Sequence, residues 1–315
     1  MSIAIEVRHL TRRFGAFVAV DNVSFDVKKG EIFGFLGSNG AGKSTTIRML
    51  CGLLRPSSGA AVVGGIDVAV DPEGVKRRIG YMSQRFSLYE LLTVDQNIRF
   101  FGGLYGLSRE QLGARRAFVI EMAGLRGREH SLARDLAGGW RQRLALGCAI
   151  LHEPAILFLD EPTGGVDPLS RRQFWRLIDT LAASGVTILV TTHYLDEAEQ
   201  CHRVTLIHAG RLVAIGTIAE VKQIFAGRPI VEVRTARATD AMRALDEMPE
   251  IEKTSLFGTA VHAVLRDPRL TPALLAERVR ARGIPVESVE PAAPSLEDVF
   301  LDVVERAEAA RSVAP

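Results

Sequence analysis

Residues 31–50 read EIFGFLGSNGAGKSTTIRML, and three kinds of local structure follow one another within them. EIFGFLG (31–37) is a short, nearly all-apolar run bounded by a charge and a glycine. That is the pattern of a central strand in a mainly parallel sheet, buried on both faces. Glycines then let the backbone curl so that successive N–H groups point inward. A helix follows, and its N-terminus presents the positive end of the helix dipole. The segment Gly37-Ser38-Asn39-Gly40-Ala41-Gly42-Lys43-Ser44, continued by Thr45, fits G-x-x-x-x-G-K-[ST]. In that pattern the loop cradles phosphates, Lys43 reaches the β- and γ-phosphates, and the Ser44 hydroxyl ligates Mg²⁺.

A second run of the same kind is AILFLDE (155–161), and GVTILVTTH (185–193) is a third. Asp160 ends the second strand, where the carboxyl edge of an open sheet meets the ligand crevice, and a carboxylate there suits a second Mg²⁺ contact. Glu161, one residue on, is placed to take a proton from an attacking water. The two motifs together describe a P-loop ATPase or GTPase. The chain holds no [NT]-K-x-D sequence of the kind that reads guanine. ATP is therefore the expected nucleotide.

Thr93-x-x-Gln96 and Ser108-x-x-Gln111 are capping boxes opening two helices. With the helix after Gly139 they predict a helical insert over about 86–152. Asp167-Pro168 caps another helix with proline at its first position. AGRP (226–229) predicts a boundary, giving an α/β unit over 1–227 and a second domain over 228–315. Beyond it the order is strand (229–235), helix (239–247), strand (251–257), turn at Gly258-Thr259, strand (260–266), helix (272–282) and strand (285–290). That βαββαβ order is the ferredoxin-like arrangement of a small α+β domain. A last helix follows, with a frayed end expected, and the tail carries no catalytic-looking constellation.

Composition excludes several classes. The 315 residues are 47% hydrophobic and 24% charged, which is globular rather than disordered. The longest run without Lys, Arg, Asp or Glu, Thr180–Leu195, is rich in threonine and too short for a bilayer span. MSIAIEVRHL has no apolar signal-peptide core. The three widely spaced cysteines argue for a reducing cytosol over a disulfide framework. A net charge of +2 gives no ground for a nucleic-acid partner, although the part from Pro229 onward carries −4 against +6 before it.

Between the two nucleotide motifs lies Leu136-Ala-Gly-Gly-Trp140-Arg-Gln-Arg-Leu. It resembles the LSGGQ-type signature of ABC transporter ATPases with its usual Arg-Gln-Arg-Leu helix. The other family elements fall in order over residues 3–225: Phe14 as the adenine platform, Gln84 as the Q-loop, Gly164-Gly-Val-Asp167 as the D-loop, and His193 as the switch histidine. The resemblance implies head-to-tail pairs, each ATP clamped between one subunit's P-loop and the other's signature at Gly138 and Gly139, with Asp167 of the D-loop also among the nucleotide-binding residues. It implies Glu161 as general base, His193 on the γ-phosphate, Gln84 at the Mg²⁺ beside Ser44 and Asp160, and a separate membrane permease as partner. Gln84 and the following RFSLYELLTV would transmit closure to that permease, keeping the chain peripheral on the cytoplasmic face of the membrane.

This chain departs from the signature at Ala137, where the family has serine, and at Trp140, where it has glutamine. Losing the serine hydroxyl removes a hydrogen bond to a charged phosphate, on the order of 1.5–3 kcal/mol. Trp140 is read either as packing or as a partner-facing contact. The ending Pro294-Ser-Leu-Glu-Asp-Val-Phe-Leu301 is similar to the tails of drug- and antibiotic-exporting ATPases, implying export and a dimer-stabilising or regulatory tail. The alternatives are a regulatory ABC protein with weak hydrolysis, and a ribosome- or DNA-associated ABC ATPase. The latter usually carries two modules or long coiled coils, whereas this chain reads as one module without a heptad run.

Overall fold

The computed structural model describes residues 2–84 and 88–313, in two compact units that divide between Thr217 and Ile218. Arg85, Phe86 and Ser87, which belong to the predicted transmission stretch and to the start of the insert, lie outside the described residues, as does the end of the chain from Ala314.

The first unit holds two sheets. One is antiparallel, in the order β2-β1-β4-β5, from β1 (Ile3–Phe14), β2 (Phe17–Lys28), β4 (Ser58–Val63) and β5 (Ile66–Asp67). The expectation of a mainly parallel sheet covers only the other. That sheet runs β10-β9-β3-β8-β7-β6, from β3 (Ile32–Leu36), β6 (Ile79–Met82), β7 (Ile156–Asp160), β8 (Thr187–Thr192), β9 (Arg203–His208) and β10 (Arg211–Gly216). All neighbours in it are parallel except the edge strand β10. Every residue of β3, β7 and β8 is buried, as their apolar runs predict. Ile5, Val7, Val20, Val23 and Phe25 of the first sheet share a core with Phe33, Phe35, Phe158 and Leu189 of the second. The Phe25 and Phe33 rings stack at 5.5 Å.

Register places the site. Leu36 pairs with Thr192 across β3 and β8, and Asp160 pairs with Thr191 across β7 and β8. The residues that follow these strands, Gly37, Glu161 and His193, therefore emerge together at one edge of the sheet. Helix α1 (Lys43–Leu50) follows the first of them, and α2 (Pro72–Arg78) precedes β6. The insert is built from α3 (Val94–Leu104), α4 (Arg109–Ala123) and α5 (Gly138–Ala149). Both predicted capping boxes form, Thr93 with Gln96 and Ser108 with Gln111. Then come α6 (Pro168–Ala183), capped by Asp167, and the short α7 (Leu195–Ala198).

The second unit begins at 218, ten residues before the predicted boundary. The reason is α8 (Ile218–Lys222) and the turn after it, whose Val221 and Phe225 are buried, α8 packing on the last helix of this unit. Arg228, expected in a linker, instead pairs with Glu252 (2.6 Å) and Asp302 (2.7 Å). The elements β11 (Ile230–Arg234), α9 (Ala238–Asp246), β12 (Ile251–Phe257), β13 (Ala260–Leu265), α10 (Pro272–Ala281) and β14 (Ser288–Ala292) make an antiparallel sheet in the order β12-β13-β11-β14. This is the ferredoxin-like arrangement. Strand β14 starts later than the predicted 285, since Pro285 has no N–H to give a ladder and pairing opens with Ser288 opposite Arg234.

The Pro294–Leu301 motif docks α11 (Leu296–Val313) on this sheet. The Ser295 hydroxyl accepts from the Asp298 N–H (3.1 Å), and Asp298 Oδ2 accepts from the Ser295 N–H (2.9 Å) and lies 2.9 Å from His262 Nδ1. Ser255 also donates to Asp298 (3.0 Å), so both serines serve the carboxylate rather than the imidazole. The cluster holds a helix in place and forms no catalytic relay.

Candidate nucleotide site

Gly42 closes the phosphate loop at φ +112°, and a Cβ there would meet the Ala19 carbonyl at 2.6 Å. Only glycine fits both conditions. The Lys43 side chain is buried and folds back over its own loop, donating to the carbonyls of Gly37 (2.8 Å) and Ser38 (3.2 Å). Ala41 is buried beneath the loop, its N–H on the Ser38 carbonyl at 3.1 Å.

At the end of β7, Asp160 is almost wholly buried and accepts from Ser44 Oγ (3.0 Å) and Thr191 Oγ1 (2.7 Å). Burial pushes its carboxyl above the usual range, against those hydrogen bonds and with the help of the neighbouring Glu161 charge. Ser44 and Asp160 thus bring a hydroxyl and a carboxylate oxygen together, and the nearby Gln84 carries an amide oxygen. Such a set of hard oxygen donors fits Mg²⁺.

Glu161 takes a left-handed backbone, φ +48°, held by its N–H on Thr191 Oγ1 (2.9 Å) and on the Thr191 carbonyl (3.1 Å). A non-glycine residue in that region is strained and needs such support. The turn aims its carboxylate at three of the residues expected in the site. Oε1 lies 3.2 Å from Lys43 Nζ. Oε2 accepts from Gln84 Nε2 (2.9 Å) and lies 3.3 Å from His193 Nδ1.

Phe14, Asn39, Gly40, Gly42, Lys43, Ser44, Thr45, Gln84 and Glu161 line one cleft of about 370 Å³. Phe17, not anticipated, lines it too, paired with Phe14 across the β1–β2 turn and more exposed than it. The Arg12 guanidinium lies 4.5 Å from the Phe14 ring. Asp160 and His193 do not line the cleft themselves but touch Ser44 and Glu161, which do, whereas Gly37 and Ser38 act through their carbonyls. Thr191, which grips both carboxylate residues, was also missed; its only mark in the sequence is its place two residues before His193.

Gly138, Gly139 and Asp167 do not line this cleft. Ala137 is the exposed N-cap of α5 and makes no side-chain bond to it. Gly139 faces α6 so closely that a Cβ would meet Ser170 Oγ at 2.4 Å, whereas a Cβ on Gly138 would meet nothing within 4 Å. Asp167 accepts from the N–H groups of Leu169 (3.1 Å) and Ser170 (2.9 Å), and these bonds to the Ser170 end of the turn hold its carboxyl low. Trp140 is half-buried with the Arg128 guanidinium over its ring at 3.9 Å, so one face of it is packing within the chain.

Phosphate cradle, paired carboxylates and histidine at the carboxyl edge of a parallel sheet are how a P-loop nucleoside triphosphatase is built. Residues 20–164 match the ABC transporter family, and residues 216–304 match the C-terminal domain of DrrA1-3-like ATP-binding proteins. The chain is 40% identical over 303 residues to the daunorubicin/doxorubicin resistance ATP-binding protein DrrA of Streptomyces peucetius, covering 95% of this chain and 91% of that one. It is 51% identical over 218 residues to the probable multidrug ABC transporter ATP-binding protein YbhF of Escherichia coli, covering 69% of this chain but 38% of that one. A solved dimeric structure, the bacterial ABC transporter cassette MJ0796, is similar with a TM-score of 0.63 at 26% identity, over 68% of this chain and 98% of that one. This chain belongs to the ATP-binding proteins of ABC transporters. Among the described residues, no helix is long and apolar enough to cross a membrane.

Proposed function

We propose that two copies of this chain close around two ATP molecules and drive a separate transmembrane permease that exports drugs, antibiotics or other amphipathic compounds. The observation that carries the hydrolytic part is the convergence of Lys43, Gln84 and His193 on the two oxygens of Glu161. Glu161 accepts the proton of a water whose oxygen attacks the γ-phosphorus. The bond from that phosphorus to the β–γ bridging oxygen breaks, and ADP and phosphate leave. His193 orients the γ-phosphate and the water, Lys43 supplies positive charge to the phosphates, and Phe14 with Phe17 offers the base an aromatic platform. Mg²⁺, held by Ser44, Asp160 and Gln84, would neutralise phosphate charge.

The two-copy arrangement is supported by Gly138, Gly139 and Asp167 standing outside the cleft, and by the dimeric state named for MJ0796. Export is supported by the resistance roles named for DrrA and by the matching tail. The permease would keep the chain at the cytoplasmic face of the membrane. The test is Glu161→Gln: turnover should fall about 10²–10⁴-fold, the usual share of a general base. ATP binding should persist and trap a dimer. Hydrolysis at the parental rate would remove Glu161 from this role.

A further inference from the structure

Glu197 follows His193 closely in sequence, and its carboxylate is 1% exposed. A carboxylate so deep persists only when its oxygens are hydrogen-bonded or paired with a charge, and two elements supply hydrogen bonds and a third a charge. Thr163 Oγ1, in the turn between Glu161 and α6, donates to Oε1 at 2.5 Å. Thr192 Oγ1, at the end of β8 and next to His193, donates to Oε2 at 2.8 Å. Arg171 Nε, in the first turns of α6, lies 3.1 Å from Oε1, an ion pair without hydrogen-bond geometry. The Arg171 guanidinium also covers the Tyr194 ring at 4.0 Å, and the rings of Tyr194 and His193 pack with centroids 4.1 Å apart. Asp196 stands 3.8 Å away on the exposed side of Arg171. The same helix α6 begins at the Asp167 cap and carries Ser170 against Gly139 of α5.

We propose that Glu197 is a positioning residue that clamps the His193 segment to the Thr163–Asp167 turn and to α6. The residue facing the γ-phosphate and the surface offered to the second copy then move as one body. The inference rests on the reading of His193 given above. Hydrogen bonds to a buried charge are short and directional, which makes such a clamp stiff. Closure of the dimer on α5 and α6 would set His193, and loosening the clamp would misplace it without touching the nucleotide cradle.

Two variants test this in the full-length chain. Thr163→Val cuts the turn side of the clamp and leaves Glu197 its contacts with Thr192 and Arg171. Glu197→Gln keeps hydrogen-bonding atoms and removes the charge facing Arg171. Each is combined with His193→Ala and assayed by ATP turnover and by equilibrium binding of a non-hydrolysable ATP analogue. With His193 present, each variant should lower kcat on the order of 10-fold, within the cost of misplacing a reacting group, and leave analogue affinity unchanged. In the His193→Ala background neither should lower kcat further. Equal losses in both backgrounds, or a raised KM with kcat intact, would overturn the clamp. His193→Ala turning over ATP at the parental rate would instead remove the role of His193, and the clamp with it. Thr163→Val decides alone if Glu197→Gln does not fold.

Discussion

Lys43 and Glu161 face each other across 3.2 Å with both side chains buried, one from the head of α1 and the other from the end of β7. The pair joins the phosphate loop to the residue assigned as base, so a change at either end is felt at the other. Removing one partner of a buried pair leaves an uncompensated charge and costs about 3–5 kcal/mol, whereas neutralising both is far milder. Lys43→Ala should therefore abolish turnover and lower the unfolding temperature. Adding Glu161→Gln to it should return most of that temperature and none of the turnover. Thermal unfolding of the four proteins checks this, and a double variant no more stable than Lys43→Ala would mean the two charges are not coupled.

The adjacent glycines of the signature have separate jobs. A methyl at Gly139 meets Ser170 at overlapping distance, so Gly139→Ala must push α5 from α6 and should cost about 1–3 kcal/mol of stability, the usual penalty of overpacking. A methyl at Gly138 meets nothing, and the isolated chain should be as stable with Gly138→Ala as without. If the Gly138 N–H faces phosphate held by the second copy, that methyl sits in the interface. In a Glu161→Gln background the ATP midpoint for dimerisation should then rise on the order of 10-fold, equivalent to about 1.4 kcal/mol. An unmoved midpoint would place Gly138 away from the partner's nucleotide.

What could be read in advance was what is local in the chain. The phosphate loop, the caps at Thr93, Ser108 and Asp167, and the βαββαβ order depend on residues a few positions apart, and each stands where its spacing predicts. The antiparallel sheet escaped because β1 and β2 carry register shifts around Leu10 and Arg12, which break the period-two alternation that marks a half-buried strand. The boundary slipped because Val221 and Phe225 are buried although AGRP reads as a turn. Within the site, Thr191 and the Glu197 cluster join residues about thirty positions apart. Periodicity carries no mark of such contacts; only the strand register creates them.

In the C-terminal unit, His262 and Asp298 shift in opposite directions. Burial opposes the charge on His262, but the hydrogen bond and charge of Asp298, helped by Glu232, outweigh it and raise the imidazole above its ordinary value. Burial also works against the Asp298 charge, yet His262 and the Ser295 donors hold that carboxyl down at about 2. The raised histidine stabilises fully below its unfolded value of about 6.5, and that benefit is lost as pH rises through the folded value. The lowered aspartate stabilises above its unfolded value of about 3.9, and that benefit is lost as pH falls towards 2. Both contributions are whole only between about pH 4 and pH 6.5. Unfolding should come at a lower temperature at about pH 8.5 than at about pH 6, and Asp298→Asn should flatten that difference while costing about 1–3 kcal/mol at the lower pH. A gap between parent and variant that is the same at both pH values would exclude this pair as its source.

Ala137 separates what the signature does for its own chain from what it does for the other. It occupies the N-cap of α5 at φ −59° and ψ 152°, the geometry in which serine caps a helix, and it has no side-chain bond to give. Ala137→Ser supplies an oxygen that can accept from the N–H of Gly139 or Trp140, a gain of about 0.5–2 kcal/mol in stability. The hydroxyl hydrogen stays free, because a capping serine accepts with its oxygen. If the signature meets the second copy's γ-phosphate, that hydrogen is donated to it, and dimerisation strengthens by roughly 1–2 kcal/mol per site, a charged hydrogen bond less some ordering of the side chain. Arg128 on the Trp140 ring and Ser170 against Gly139 fix the helix around the new hydroxyl, so it has little freedom to point elsewhere. We expect both the unfolding temperature and the affinity of ATP-driven dimerisation to rise, the second measured as dimer fraction against ATP concentration in the Glu161→Gln background. A higher unfolding temperature with an unmoved dimer midpoint would mean that the hydroxyl only caps α5, and that the signature meets nucleotide through its backbone or not at all.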